Sequence, residues 1–344
     1  MKNRGFCGIF RIILTKNVRC AIILSKEPKG AYPCGTYNIM KIFTLTLSPA
    51  FDIHCRAEAL ELFRENSVRI TERDIGGKGI NISRALTLHG VENTAVAVLG
   101  RENGAELEKK LSALGIRTEV IWAEGRIREN ITVHTDDGKE TRISFAAQPL
   151  GDDTLTRVEK YVDNALGKGD ILTVTGSIPE GVPRARIIAL VKAQTERGVR
   201  VIVDSRSFDL ADLFEMKPYL IKPNEEEIEI YMSRRIGSLP DALSAARELA
   251  AHGISNVMIS LGAKGAVLAT RGGGYTVSAP GIEALSTIGA GDSSIAGFIY
   301  ATERGLSPRE CLVYAVAFGS AACLTRGTKP PSVEDVRLML DLIK

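Results

Sequence analysis

Short apolar runs rich in β-branched residues recur at residues 42–47, 95–99, 171–175, 199–204, 219–222 and 257–260, and each reads as a buried strand. Between most of them the apolar positions shift to helical spacing, which predicts helices over 105–114, 153–166, 184–197, 224–231 and 240–251. Strands separated by helices imply a mostly parallel sheet with helices on both faces. A different texture interrupts this rhythm. Residues 67–75, 119–123, 130–135 and 141–145 read as short strands, the last two joined through the turn residues Asp136, Asp137 and Gly138. Lid strands drawn from about 53–75 and 117–146 are therefore expected to make a small antiparallel sheet beside the main domain. A further hairpin is expected over 266–278, and residues 308–324 form a nearly all-apolar, Ala-rich helix buried on every side.

Composition narrows the class. With 44% apolar and 25% charged residues the chain has an ordinary globular balance, which excludes a disordered protein. The net charge of +3 is unevenly placed: residues 1–39 carry seven Lys and Arg against the single Glu27, leaving about −3 for the rest. The folded part thus lacks a basic footprint for nucleic acid. Residues 1–39 also hold Cys7, Cys20 and Cys34 and show no periodic pattern, whereas Met40 opens the domain-like run MKIFTLTLSPA. They read as a basic N-terminal extension outside the fold, either a translated upstream stretch or a transit peptide. Their apolar patches are too short to span a membrane. Cys55, Cys311 and Cys323 form no CxxC, and His54, His89, His134 and His252 are scattered, so no zinc site or disulfide framework is indicated. A reducing cytoplasm fits this usage.

The candidate chemistry centres on residues 286–299, STIGAGDSSIAGFI. Gly289, Ala290 and Gly291 make a small-residue turn at the start of a helix, where unpaired amides and the positive dipole end suit an anion. Asp292 then either caps that helix or handles a proton in phosphoryl or acyl transfer; spacing alone leaves both open. Asp52, at the C-terminal end of the first strand, sits where open α/β sheets place ligand contacts, or else in an Asx-turn. The glycines of 76–79 open another helix and suit a phosphate or sugar, although Lys78 is followed by Gly79 and not by the Ser or Thr of a Walker A loop. Residues 175–179, 222–227 and 260–265 are further strand-end turns.

Their order carries more than any one of them. With TLTLSPAFD at 44–52, GGKGIN at 76–81, IKPNEEEI at 221–228, SLGAKG at 260–265 and GAGD at 289–292, the chain from about residue 40 to 344 resembles the PfkB carbohydrate kinases of the ribokinase-like fold. Within that family it is similar to the 1-phosphofructokinase and tagatose-6-phosphate kinase branch. The resemblance implies a three-layer α/β/α domain with a mostly parallel sheet and a small β-sheet lid. It implies ATP-dependent phosphorylation of a ketohexose phosphate to the bisphosphate, with fructose 1-phosphate the first acceptor and tagatose 6-phosphate the second. Asp292 then matches the base, and Gly289, Ala290 and Gly291 its anion hole. Asp52, Gly77 and Asn81 match sugar contacts, while Arg128, in RENITV, and Lys78 serve the acceptor's own phosphate. Ser260, Leu261, Gly262, Ala263, Lys264 and Gly265 match the ATP loop, joined by Lys222, Asn224 and Gly291. Asn224 and Glu227 match a pair that organises Mg²⁺ through water.

The same resemblance implies a monovalent cation such as K⁺ and a homodimer clasped through the lids. Arg142 is either a solvated strand charge or an aid to Arg128. Three departures bear on the choice of sugar phosphate: Ala146, Ala147, Gln148, Pro149 and Leu150 after the lid hairpin, Ser205, Arg206 and Ser207 after Asp204, and Ser48.

Overall fold

The computed structural model describes residues 40–343, so the expectation for residues 1–39 falls outside the described part. Strands β1 (Ile42–Thr46), β2 (Ala50–Ala57) and β3 (Arg69–Gly76) come first, followed by α1 (Lys78–Leu88), β4 (Thr94–Gly100), α2 (Gly104–Ala113) and β5 (Arg117–Ala123). The hairpin β6 (Arg128–Thr135) and β7 (Glu140–Ile143) leads to α3 (Asp152–Ala165), β8 (Ile171–Thr175), α4 (Arg184–Glu196), β9 (Arg200–Asp204), α5 (Leu210–Met216) and β10 (Leu220–Ile221). The chain ends with α6 (Glu225–Met232), α7 (Leu239–Ala250), β11 (Asn256–Ser260), β12 (Ala266–Thr270), β13 (Gly273–Val277), α8 (Ala290–Glu303), α9 (Pro308–Ala322) and α10 (Val333–Leu342).

Nine strands form one sheet in the order β13-β12-β11-β10-β9-β8-β1-β4-β5, parallel except at the β11–β12 and β12–β13 pairs. One face packs Leu155 of α3, Ile187 of α4, Ile228 of α6 and Ala245 of α7 against strand residues such as Leu45 and Val174. The other takes Ile82 of α1, Phe298 of α8, Phe318 of α9 and Val336 of α10. This is the expected three-layer architecture; α3 and α7 bury one apolar stripe, whereas α1, α8 and α9 are buried over most of their surface. Chain order reverses at β1, which is flanked by β4 on one side and β8 on the other. Ligand clefts in open α/β sheets lie at the carboxyl ends of strands beside such a reversal. No helix of the described residues is long and apolar enough to cross a membrane.

The lid is a separate sheet ordered β3-β2-β6-β7. Two details differ from the reading of the sequence. Arg117–Ala123 is not a lid strand: β5 pairs parallel to β4 and edges the large sheet. Its alternating pattern is that of an edge strand with one face buried, and α2, which precedes it and buries Leu107 and Leu111, makes it the return of a βαβ crossover. Nor is the lid wholly antiparallel, since its central pair β2–β6 is parallel.

Candidate active site

A cleft of about 960 Å³ opens at the carboxyl ends of β1, β9, β10 and β11, under the lid. The start of α8 forms part of its wall. Gly289 is the N-cap residue, with φ of 80°, a left-handed conformation that glycine adopts without strain. Asp292 is the third residue of the helix, so it is not the cap. Its buried carboxylate accepts a hydrogen bond from Asn81 Nδ2 at 2.8 Å. Burial pushes the Asp292 carboxyl up to about 6; the nearby Lys78 cation and the Asn81 hydrogen bond oppose this, and the Asp204 carboxylate adds to it.

Lys222 reaches the same helix start because Gly291 has no side chain: a Cβ there would lie 3.1 Å from Lys222 Nζ. Asp204, at the end of β9, joins the lysines, receiving Lys78 Nζ at 2.8 Å and lying 3.8 Å from Lys222 Nζ. Burial alone would raise the Asp204 carboxyl, but Lys222 and Lys78 outweigh it and hold it below the usual carboxylate range. Asp204 is absent from the residues singled out in the sequence. The rule that picks out Asp52, a carboxylate at a strand's C-terminal end, applies to it equally. Lys78, expected at the acceptor's phosphate, lines the cleft with its ammonium donating to Asp204.

One end of the cleft is built by the lid. Asp52 belongs to β2 and not to a turn beyond β1; its Oδ1 accepts from Asn130 Nδ2 at 3.0 Å and from Arg142 Nη2 at 2.9 Å. A Cβ on Gly76, the β3 residue paired with Ala50, would overlap the other Asp52 oxygen, so the glycine makes room for the carboxylate. Gly77 follows at φ of 126°, and a Cβ on it would lie 2.8 Å from Thr46 Cγ2. Arg142 is thus a cleft residue and not a solvated strand charge. Arg128 lines the cleft beside it, donating from Nη1 to the Phe145 carbonyl at 3.1 Å, while its buried Nε has no partner. Burial lowers its pKa, with Asp52 opposing and Arg142 reinforcing the shift.

At the opposite end the loop after β11 makes a short 3₁₀ turn, Gly262–Lys264. Ser260, Gly262, Ala263 and Gly265 line the cleft, whereas Leu261 is buried in the core and Lys264 turns to Glu225 Oε1 at 2.8 Å. Leu261 and Lys264 therefore do not share the cleft-lining place expected of them. Pro280, Ile282, Val316 and Cys323 give this end an apolar wall, the kind of surface that takes the flat face of a base. Asn224 and Glu227 form a capping box on α6: Asn224 Oδ1 accepts from the Glu227 amide at 2.8 Å, and Glu227 Oε2 from the Asn224 amide at 3.0 Å. No group of three or more His, Cys, Asp or Glu that could hold a metal occurs among the described residues. The oxygen donors on the cleft wall suit a hard cation that keeps much of its water and arrives with phosphates.

Comparison with known proteins bears on the fold and family. The model of the pfkB family carbohydrate kinases matches residues 52–335. The 1-phosphofructokinase of Haemophilus influenzae is 32% identical over 285 residues, 82% of this chain and 90% of its own length. The ATP-dependent 6-phosphofructokinase isozyme 2 of Escherichia coli K12 is 30% identical over 304 residues, covering 87% and 97%. The crystal structure of Escherichia coli phosphofructokinase-2 in complex with potassium superposes with a TM-score of 0.82 at 28% identity, covering 88% of this chain and 98% of that one. Family kinases of this kind transfer phosphate to an alcohol group of a sugar. The chain belongs to the pfkB family of carbohydrate kinases.

Proposed function

We propose that the chain phosphorylates a ketohexose phosphate with ATP, fructose 1-phosphate being the first acceptor and tagatose 6-phosphate the second, to give the bisphosphate. The observation that carries this reading is the pair of arginines beside Asp52. A plain sugar needs no cation, whereas an acceptor already bearing a phosphate brings about two negative charges. Arg128 and Arg142 stand at that end of the cleft, and the buried Nε of Arg128 is a donor without a partner.

In this reading Asp52 and Asn130 hold sugar hydroxyls. Asn81 fixes Asp292 Oδ2, leaving the second carboxylate oxygen to take the acceptor's hydroxyl proton. The acceptor oxygen attacks the γ-phosphorus, the bond to the β-phosphate oxygen breaks, and ADP leaves with that electron pair. Charge on the transferring group meets the amides of Gly289, Ala290 and Gly291 and the Lys222 ammonium. Mg²⁺, when bound, neutralises phosphate charge; Asn224 and Glu227 would hold it through water.

The raised Asp292 pKa fixes a pH dependence. As the base it works ionised, so kcat/KM should fall tenfold per pH unit below about 6 and level off above it. Linkage runs the other way. A carboxyl raised in the folded state stabilises the fold fully below its ordinary value of 3.8, and that contribution is lost as pH rises through about 6. A profile flat from pH 5 to 8 would remove Asp292 from the role of base.

An ATP-consumption screen decides the acceptor. Fructose 1-phosphate, tagatose 6-phosphate, fructose 6-phosphate and the unphosphorylated sugars are compared with and without K⁺, since the structural relative from Escherichia coli binds potassium. A preference for an unphosphorylated sugar would overturn the proposal. We further propose a homodimer clasped through the lids, supported by Leu62, Phe63 and Ile70, which the lid exposes at 85%, 103% and 63%. A sedimentation mass of one chain at micromolar concentration would contradict it.

A further inference from the structure

The phosphate side of the cleft carries more negative than positive side chains: Asp204, Glu226, Glu227 and Asp292 line it, and so does Glu225. Lys78 and Lys222 are already engaged with Asp204. Glu227 has one oxygen fixed by the cap of its own helix, accepting from the Asn224 amide. The other receives Arg206 Nε at 2.7 Å, while Nη2 of the same guanidinium donates to Glu226 Oε2 at 3.0 Å. Arg206 comes from the loop after β9. Its side chain is 65% exposed and that of Glu227 16%, so an exposed cation covers a largely buried anion at the cleft wall.

Resting on the proposed ATP-dependent reaction, we infer that Arg206 is a positioning residue that holds the place of the divalent cation on Glu227 and passes to the nucleotide phosphates when they arrive. Without ligand, the guanidinium neutralises Glu227 and Glu226. A hydrated divalent cation seeking Glu227 must compete with Arg206 for the same carboxylate oxygen. Once released, the planar fork of Arg206 suits phosphate oxygens as well as it suits carboxylates. The long exposed side chain supplies the reach, and its attachment beside Asp204 keeps it at the transfer centre. Arg206 thus lowers the affinity of the empty cleft for free divalent metal and raises its affinity for the metal–nucleotide complex.

These two effects have opposite signs, and a merely structural ion pair would not produce them. Arg206→Ser should bind Mn²⁺ about fivefold more tightly in the absence of nucleotide, followed by the electron paramagnetic resonance of free Mn²⁺. The same variant should bind the non-hydrolysable analogue AMP-PNP, in saturating Mg²⁺, about fivefold more weakly by calorimetry. Arg206→Lys, which keeps the charge but loses the fork, should fall between the variant and the parent in both titrations. Mn²⁺ binding that is equal, undetectable in both proteins, or weaker in the Ser variant overturns the inference, as does an unchanged AMP-PNP affinity. Failure of the parent protein to bind AMP-PNP at all would instead overturn the proposed function.

Discussion

Asp292→Asn should lower turnover by about 10²-fold or more while leaving nucleotide affinity within a few-fold of the parent. The replacement has the same shape, and its amide oxygen can still accept from Asn81 Nδ2. What disappears is the proton acceptor. The loss should appear in kcat and kcat/KM alike, because a base acts on the transition state and not on bound substrate. Calorimetric titration with AMP-PNP separates this outcome from a damaged cleft. Near-normal turnover in the Asn variant would sink the assignment of Asp292, and with it the acid limb expected near pH 6.

The second large effect lies at the other end of the cleft. Arg128→Ala should raise the KM for the sugar phosphate roughly 10- to 100-fold and leave the KM for ATP nearly unchanged. Hydrogen bonds to charged groups contribute about 1.5–3 kcal/mol, which converts to that range. The arginine is held by its strand rather than by an ion partner, since β6 pairs Arg128 with Ala50 of β2 and one guanidinium nitrogen donates to the Phe145 carbonyl. Its removal leaves the lid sheet intact. Steady-state kinetics with each substrate varied in turn will read the difference; equal increases in both KM values would count against a phosphate role.

How far the sequence discloses these features depends on whether the deciding contact is local. The β-α rhythm after residue 151 is legible because each helix is amphipathic by itself and each strand is a short apolar run. The Asp292 turn is legible because the glycines that shape it are adjacent to it. The lid is less so. Arg117–Ala123 and the hairpin strands share one alternating texture, and only the packing of α2 places the former in the large sheet. Short α5 is set by the Asp209 and Asp212 capping box and escapes a search for periodic stripes. Asp204 and Arg142 acquire meaning only from partners far along the chain: Lys78 is 126 residues from Asp204 and Asp52 is 90 from Arg142. Leu261 and Lys264 show the converse, since a loop can match a pattern throughout while only some of its residues, here Ser260, Gly262, Ala263 and Gly265, line the cleft.

The lid is spliced into the chain between two central elements. Only Leu47, Ser48 and Pro49 separate β1 from β2, and Gly77 alone separates β3 from the helix that carries Lys78 and Asn81. With so few residues on either side, the proposed acceptor contact at Asp52 and the proposed base at Asp292 are joined by one short path, from β2 to β3 and through Gly77 to Asn81, whose amide donates to the Asp292 carboxylate.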